Sequence, residues 1–345
     1  MKLAVTGGSG FLGYHLCNML ADKFDEIIVI DIAPLNPSEY PKNVKYYESD
    51  VRDFELMMKL LFDVDQVVHA AAALPLWSKK DIFTTNVDGT RNILEASRRN
   101  KVERVIYVSS TAVYGVPDQH PIYENDPLIG IGPYGESKIQ AEYICEEFRK
   151  NNNYVPIVRP KTFIGTGRLG VFQILYDWIE SGAKIPIIGN GKNEYQLLEV
   201  SDLVDAIYLM LTLPCEKINE NFNIGAKIVG QVNEFLGALC DYADTGSRVM
   251  HTPSWIVKPA LEIFWALRIS PLYKWVYGTA DKDSYVSIEK AEKQLGWAPK
   301  FSNAEALIRS YKWYLEHKDL LETGSGVTHR VAWKQGILNL FKKFM

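Results

Sequence analysis

A chain of 345 residues and 39.2 kDa, 47% apolar and 23% charged, has ordinary globular usage and room for one large domain or two unequal ones. Its 38 basic and 42 acidic side chains leave a net charge of −4, which argues against nucleic acid as the main partner. Cys17, Cys145, Cys215 and Cys240 form no CxxC pair and follow no secretory signal, so reduced thiols, no bound metal and a cytoplasmic setting are expected.

From the first residue to about 160, short Val/Ile-rich runs alternate with helical patterns, the mark of repeated βαβ units and a parallel sheet. Strands are expected at 3–6, 27–31, 44–48, 66–70, 105–109 and 156–159, with helices such as 10–21 and 86–99 between them. The fold class is therefore α/β: a Rossmann-like doubly wound sheet over 1–160 whose last strands and helices interleave with a smaller substrate-binding lobe over 161–325. In that lobe Gly and Pro punctuate the pattern and regularity falls. No run reaches the roughly 20 apolar residues that span a bilayer. The segment 328–345 carries His329, Arg330, Lys334, Lys342 and Lys343 without an acid, with Ile337, Leu338, Phe341 and Phe344 on one helical face. It reads as a basic amphipathic tail suited either to peripheral membrane contact or to docking on the body.

Directly after the first expected strand stands Thr6-Gly7-Gly8-Ser9-Gly10-Phe11-Leu12-Gly13, a glycine run opening a helix. Such a turn lets backbone approach a pyrophosphate while helix amides and dipole favour its charge. The second strand ends at Asp31, an acid placed to accept from an adenosine ribose, and Ile32 and Ala33 supply no arginine for a 2′-phosphate, so NAD is expected. Further on, Tyr134 and Lys138 lie four residues apart, on one face of a helix. A phenol with pKa near 10 becomes a usable acid/base when an ammonium lies close to it. Upstream, Val108-Ser109-Ser110-Thr111 ends a strand in hydroxyls, at the sheet edge where such folds bind ligands.

These three pieces in this order resemble the extended short-chain dehydrogenase/reductase superfamily, the NAD-dependent epimerase/dehydratase type, over roughly residues 1 to 315. Asp50-Val51-Arg52-Asp53, His69-Ala70-Ala71-Ala72, Ser110-Thr111-Ala112-Val113-Tyr114-Gly115, Arg159-Pro160 and Leu295-Gly296-Trp297 add to the likeness. The resemblance implies that Gly7, Gly10 and Gly13 hold the pyrophosphate, Asp31 the ribose, Asp50 and Val51 the adenine, and Ala70, Ala71 and Ala72 the cofactor wall. It also places Phe11, Leu12 and Arg159 against NAD. Tyr134 would be the acid/base, Lys138 would bind the nicotinamide ribose and lower the tyrosine pKa, and Ser110 would bond the substrate oxygen, with Thr111 as the other candidate. A homodimer through Rossmann helices, one of them carrying Tyr134 and Lys138, is implied as well, together with a small-molecule substrate.

The substrate lobe divides the readings. Members acting on nucleotide sugars commonly carry an arginine where this chain has Tyr195, and a second before the Leu295 motif, where only lysine stands at Lys282. Ile188-Gly189-Asn190-Gly191-Lys192-Asn193 and His251-Thr252-Pro253-Ser254-Trp255 look instead like the 3β-hydroxysteroid and sterol dehydrogenase branch. The expected activity is therefore hydride transfer at a secondary alcohol or ketone of a hydrophobic substrate. The alternative is a nucleotide-sugar epimerase or dehydratase, and a third possibility is a silent NAD-binding sensor. The dehydratase form is weakened by Thr111 and Ala112, where an Asp-Glu pair is usual. Arg168, Tyr195, His251 and the loop 74–78 are expected around the substrate; Arg52 and His69 are expected to be structural.

Overall fold

The computed structural model describes residues 1–267 and 274–320, together with Arg330, Leu338 and Lys342. In chain order the first half runs β1 (Lys2–Thr6), α1 (Phe11–Met19), β2 (Glu26–Asp31), β3 (Val44–Glu48), α2 (Phe54–Leu60), β4 (Gln66–His69), α3 (Lys79–Phe83), α4 (Gly89–Arg99), β5 (Arg104–Val108), α5 (Gly132–Lys150) and β6 (Ile157–Pro160). A π-helical turn at Thr84–Asp88 joins α3 to α4. The second half runs β7 (Phe163–Ile164), α6 (Val171–Glu180), β8 (Ile185–Ile188), β9 (Glu194–Tyr195), β10 (Leu198–Glu199), α7 (Val200–Thr212), α8 (Cys215–Ile218) and β11 (Asn221–Ile224). After these come β12 (Gly230–Gln231), α9 (Val232–Ala243), β13 (Val249–Thr252), α10 (Ser254–Ala266), α11 (Lys274–Thr279), α12 (Glu289–Leu295) and α13 (Asn303–His317).

Seven parallel strands form the central sheet in the order β11-β6-β5-β4-β1-β2-β3. Both faces are covered, because alternate strand residues feed different layers. Leu3 and Val5 point into a core shared with Leu16, Leu203, Val204 and Ile207 of α1 and α7. Ala4 points the other way, into a core with Met57, Ile93, Leu94, Ala141 and Ile144 of α2, α4 and α5. The chain leaves β1 toward β2 and β3 on one side and returns at β4 on the other, which opens a crevice at the carboxyl ends of β1 and β4. The edge strand β11 and its covering helix α7 come from beyond residue 160.

A third core gathers Ile164, Ile174, Trp178, Leu236, Leu239, Tyr311 and Tyr314 from β7, α6, α9 and α13. Short pairs complete this part: β13 beside β8, β12 against β9, and β10 beside β7. Most of the expected tail lies outside the described residues. Of its three described side chains, Arg330 pairs with Glu39 and covers the Tyr14 ring at 4.1 Å, Lys342 pairs with Asp177 at 2.5 Å, and Leu338 packs on the third core. Among the described residues no helix is long and apolar enough to cross a membrane.

Candidate active site

The loop after β1 folds as it does because its glycines leave no alternative. Gly7 has φ +72°, and a Cβ there would lie 2.8 Å from Ala71 N; a Cβ on Gly13 would stand 2.3 Å from Gly7 O. Together they let α1 sit directly on the turn. Gly10 precedes α1 in an extended conformation and no side chain caps the helix, so first-turn amides remain for an anionic ligand.

This loop borders a cleft of about 360 Å³ along the carboxyl ends of β1 to β5, within the usual range of ligand pockets. Gly7, Gly10, Phe11, Leu12 and Gly13 line it, as do Asp31, Asp50, Val51, Ala70, Ala71, Ala72, Tyr134 and Lys138. Asp31 accepts from Ser9 N and Ala33 N, both at 2.9 Å, which uses two of the roughly four acceptor positions of a carboxylate. Burial pushes its pKa up from the usual carboxylate value. Arg52 pairs with Asp50 at 2.6 Å. His69 is fully buried between Thr6 Oγ1 (2.7 Å) and Thr90 Oγ1 (3.0 Å), and burial lowers its pKa to about 3, so it is a neutral framework residue.

Two lining residues carry orphaned polar atoms: Ser49, which the sequence reading did not single out, and Trp77, in the loop 74–78 expected around the substrate. Ser49 Oγ, beside Asp50, and Trp77 Nε1, in the loop after β4, are buried without a hydrogen-bond partner among the described residues. Ser49 belongs to no recognisable pattern, so only the fold exposes it. Orphaned polar atoms at both sides of a glycine-floored cleft, with an acid at the end of β2, fit the hydroxyls and heteroatoms of a dinucleotide.

At the other end of the cleft, Tyr134 and Lys138 lie one turn apart near the start of α5. Lys138 is 2% exposed; its Nζ donates to Val108 O at 2.9 Å and Tyr107 OH at 3.2 Å. Burial draws its pKa down to about 8, against the opposing charge of Glu142 one turn further along. Ser109 Oγ lines the cleft and donates to Glu142 Oε1 at 2.5 Å. Ser110 follows it and accepts from Ala112 N at 3.2 Å, capping the short turn Thr111–Tyr114; Thr111 Oγ1 donates to Pro160 O at 3.3 Å. Both flank the cleft without forming its wall.

Arg159 requires a correction. Expected against the cofactor, it is 1% exposed and turned into the protein, where Nε and Nη2 bond Glu142 at 2.6 to 3.1 Å and Nη1 bonds Tyr114 OH at 2.6 Å and Glu124 O at 2.8 Å. It is the structural partner of a buried carboxylate. Of the expected substrate residues, Arg168 is buried among the rings of Phe11, Phe163 and Phe172, with Phe11 and Phe163 between it and the cleft. Tyr195 lies under the ammonium of Lys161 at 5.1 Å. His251 is exposed and bonds Asn233, away from the cleft; Leu74 and Trp77 line it.

A family model described as the NAD dependent epimerase/dehydratase family matches residues 3–225. An uncharacterized protein of Sinorhizobium fredii, y4nG, is 36% identical over 341 residues, covering 97% of this chain and 84% of that protein. A putative UDP-glucose 4-epimerase of Methanocaldococcus jannaschii is 28% identical over 329 residues, 90% of this chain and 97% of the relative. Among solved structures, DesIV of Streptomyces venezuelae, a dTDP-glucose 4,6-dehydratase with NAD bound, superposes with a TM-score of 0.75 at 26% identity over 93% of this chain and 98% of that one. NAD is thus the cofactor that both the cleft and its relatives support.

Proposed function

The chain belongs to the NAD dependent epimerase/dehydratase family, and on that premise we propose that it is an NAD-dependent epimerase-type enzyme acting at a secondary alcohol carbon of a nucleotide sugar. The observation that carries the chemistry is the buried Lys138 one helical turn from Tyr134, at the far end of a cleft whose opposite end is a glycine loop facing Asp31. NAD bound there supplies a hydride acceptor and, in reverse, a hydride donor. Gly7, Gly10 and Gly13 leave room for its pyrophosphate, and Asp31 accepts from its adenosine ribose.

Tyr134 takes the proton of the substrate hydroxyl as the carbon beneath it is oxidised, and returns it when the carbon is reduced from the other face. Lys138 stays charged at neutral pH and favours the phenolate. Ser110, beside the cleft, holds the reacting oxygen, while Ser109, fixed on Glu142, fixes the strand end that carries it. Elimination of water would need a further acid/base pair, and Thr111 and Ala112 offer no carboxyl group. Epimerisation is therefore favoured over dehydration.

The substrate class rests on the nucleotide-sugar enzymes among the relatives, which support the expected alternative over the steroid-like reading. One observation keeps the latter as a second reading: α10 leaves Trp255 78% and Ile263 58% exposed, and Leu267 beside it 63%, an apolar surface that suits a greasy ligand. Incubation with UDP-glucose, UDP-galactose and a panel of hydroxysteroids, following sugar interconversion and NADH absorbance, separates the two. Conversion of a hydroxysteroid with no sugar turned over would reverse the ranking.

A further inference from the structure

Lys161 follows directly on β6, two residues before Phe163 of the cleft wall. It is 4% exposed, and among the described residues no carboxylate pairs with it. Its Nζ donates to Ser284 Oγ at 2.6 Å and lies over the ring of Tyr195, whose hydroxyl pairs with Thr162 Oγ1 at 3.0 Å. Desolvation alone brings its pKa down to about 7. Close by, His120 feels the carboxylate of Asp283 first and the ammonium of Lys161 next, and its ring lies tilted 5.0 Å from that of Tyr285, the residue after Ser284; its Nε2 is buried without a partner among the described residues. A buried ammonium with no acid is costly unless an anion reaches it. Here that ammonium lies over the very tyrosine that replaces the expected arginine, and the unused imidazole nitrogen of His120 belongs to a residue within reach of its charge.

We propose that Lys161, assisted by His120, receives an oxyanion of the substrate, delivering from the end of β6 the positive charge that Tyr195 cannot supply. This rests on the nucleotide-sugar reading and names the group within it that sets specificity. Two oxyanions meet the chemistry, a diphosphate and a sugar carboxylate, and a lysine serves either as a point charge.

The test titrates the NAD-loaded full chain with UDP-glucose, UDP-glucuronate and glucuronate by calorimetry, in wild type, Lys161→Met and Lys161→Arg. Lys161→Met is expected to weaken binding roughly 10- to 100-fold, the worth of a hydrogen bond to a charged group, with NAD affinity unchanged and Lys161→Arg partly restored. A loss with UDP-glucose assigns the diphosphate, and a loss confined to the uronates assigns the carboxylate; either supports the proposal. Should Lys161→Met not fold, Ser284→Ala, which frees the ammonium from its anchor, is expected to weaken the same titration several-fold. Tight binding of a probe unchanged by these substitutions overturns the proposal alone. Wild type that binds none of the three probes yet oxidises a neutral hydroxysteroid overturns both the proposal and the nucleotide-sugar reading.

Discussion

Replacing Lys138 by methionine should make the protein more stable at neutral pH while removing its activity. The ammonium is 2% exposed and its pKa falls from 10.5 to about 8 through burial, a drop worth ~3 kcal/mol of destabilisation. Below about pH 8 the lysine is charged both folded and unfolded, so this cost is fully present at pH 7. Between about 8 and 10.5 the folded state sheds its proton first, and the cost is relieved as pH rises. Methionine fits the same space without charge but forfeits two hydrogen bonds, to Val108 O and Tyr107 OH, at ~1 kcal/mol each. The expected balance is Lys138→Met more stable than wild type by about 1 kcal/mol at pH 7, and less stable by about 1 kcal/mol near pH 9.5, where ~2 kcal/mol of the cost has gone. Urea melts of both proteins at the two pH values measure this directly. A variant less stable than wild type at pH 7, by a margin that does not change with pH, would refute the reasoning.

Tyr134→Phe should lower turnover about 10²- to 10⁴-fold, the range for loss of a general acid/base, while NAD binding followed by fluorescence stays within about twofold. Asp31→Ala should weaken NAD by roughly 10- to 100-fold through lost ribose hydrogen bonds, read by calorimetry. Gly13→Ala places a Cβ 2.3 Å from Gly7 O and should cost about 1–3 kcal/mol in stability as the loop shifts, with NAD binding falling in step. Arg159→Met leaves Glu142 buried without its cation and should destabilise by about 3–5 kcal/mol, visible as a loss of Tm.

The parallel sheet was legible because strands buried on both faces read as short continuous apolar runs, as at Ile27 to Ile30 and Val105 to Val108. The glycine loop and Asp31 were legible because backbone geometry permits few other residues at Gly7 and Gly13. The edge strand β11 reads Asn-Phe-Asn-Ile and carries little strand pattern of its own; pairing with β6 makes it a strand. Arg159 was misplaced because its partner Glu142 lies on α5, and only packing brings the two together. The same holds for Lys161 and Ser284, far apart in sequence and joined by one hydrogen bond. Residues whose role is set by local backbone could be found from spacing, and those whose role is set by long-range partners could not.

The central claim is that Tyr134 and NAD oxidise and re-reduce one carbon of a nucleotide sugar without losing the transferred hydrogen. The most direct measurement incubates the NAD-loaded protein with UDP-glucose deuterated at C4 and follows the products by NMR. The account predicts UDP-galactose with deuterium retained at C4, and no product with Tyr134→Phe. UDP-sugar recovered unchanged under conditions where NAD is bound, or equal conversion by the Tyr134→Phe protein, would contradict it.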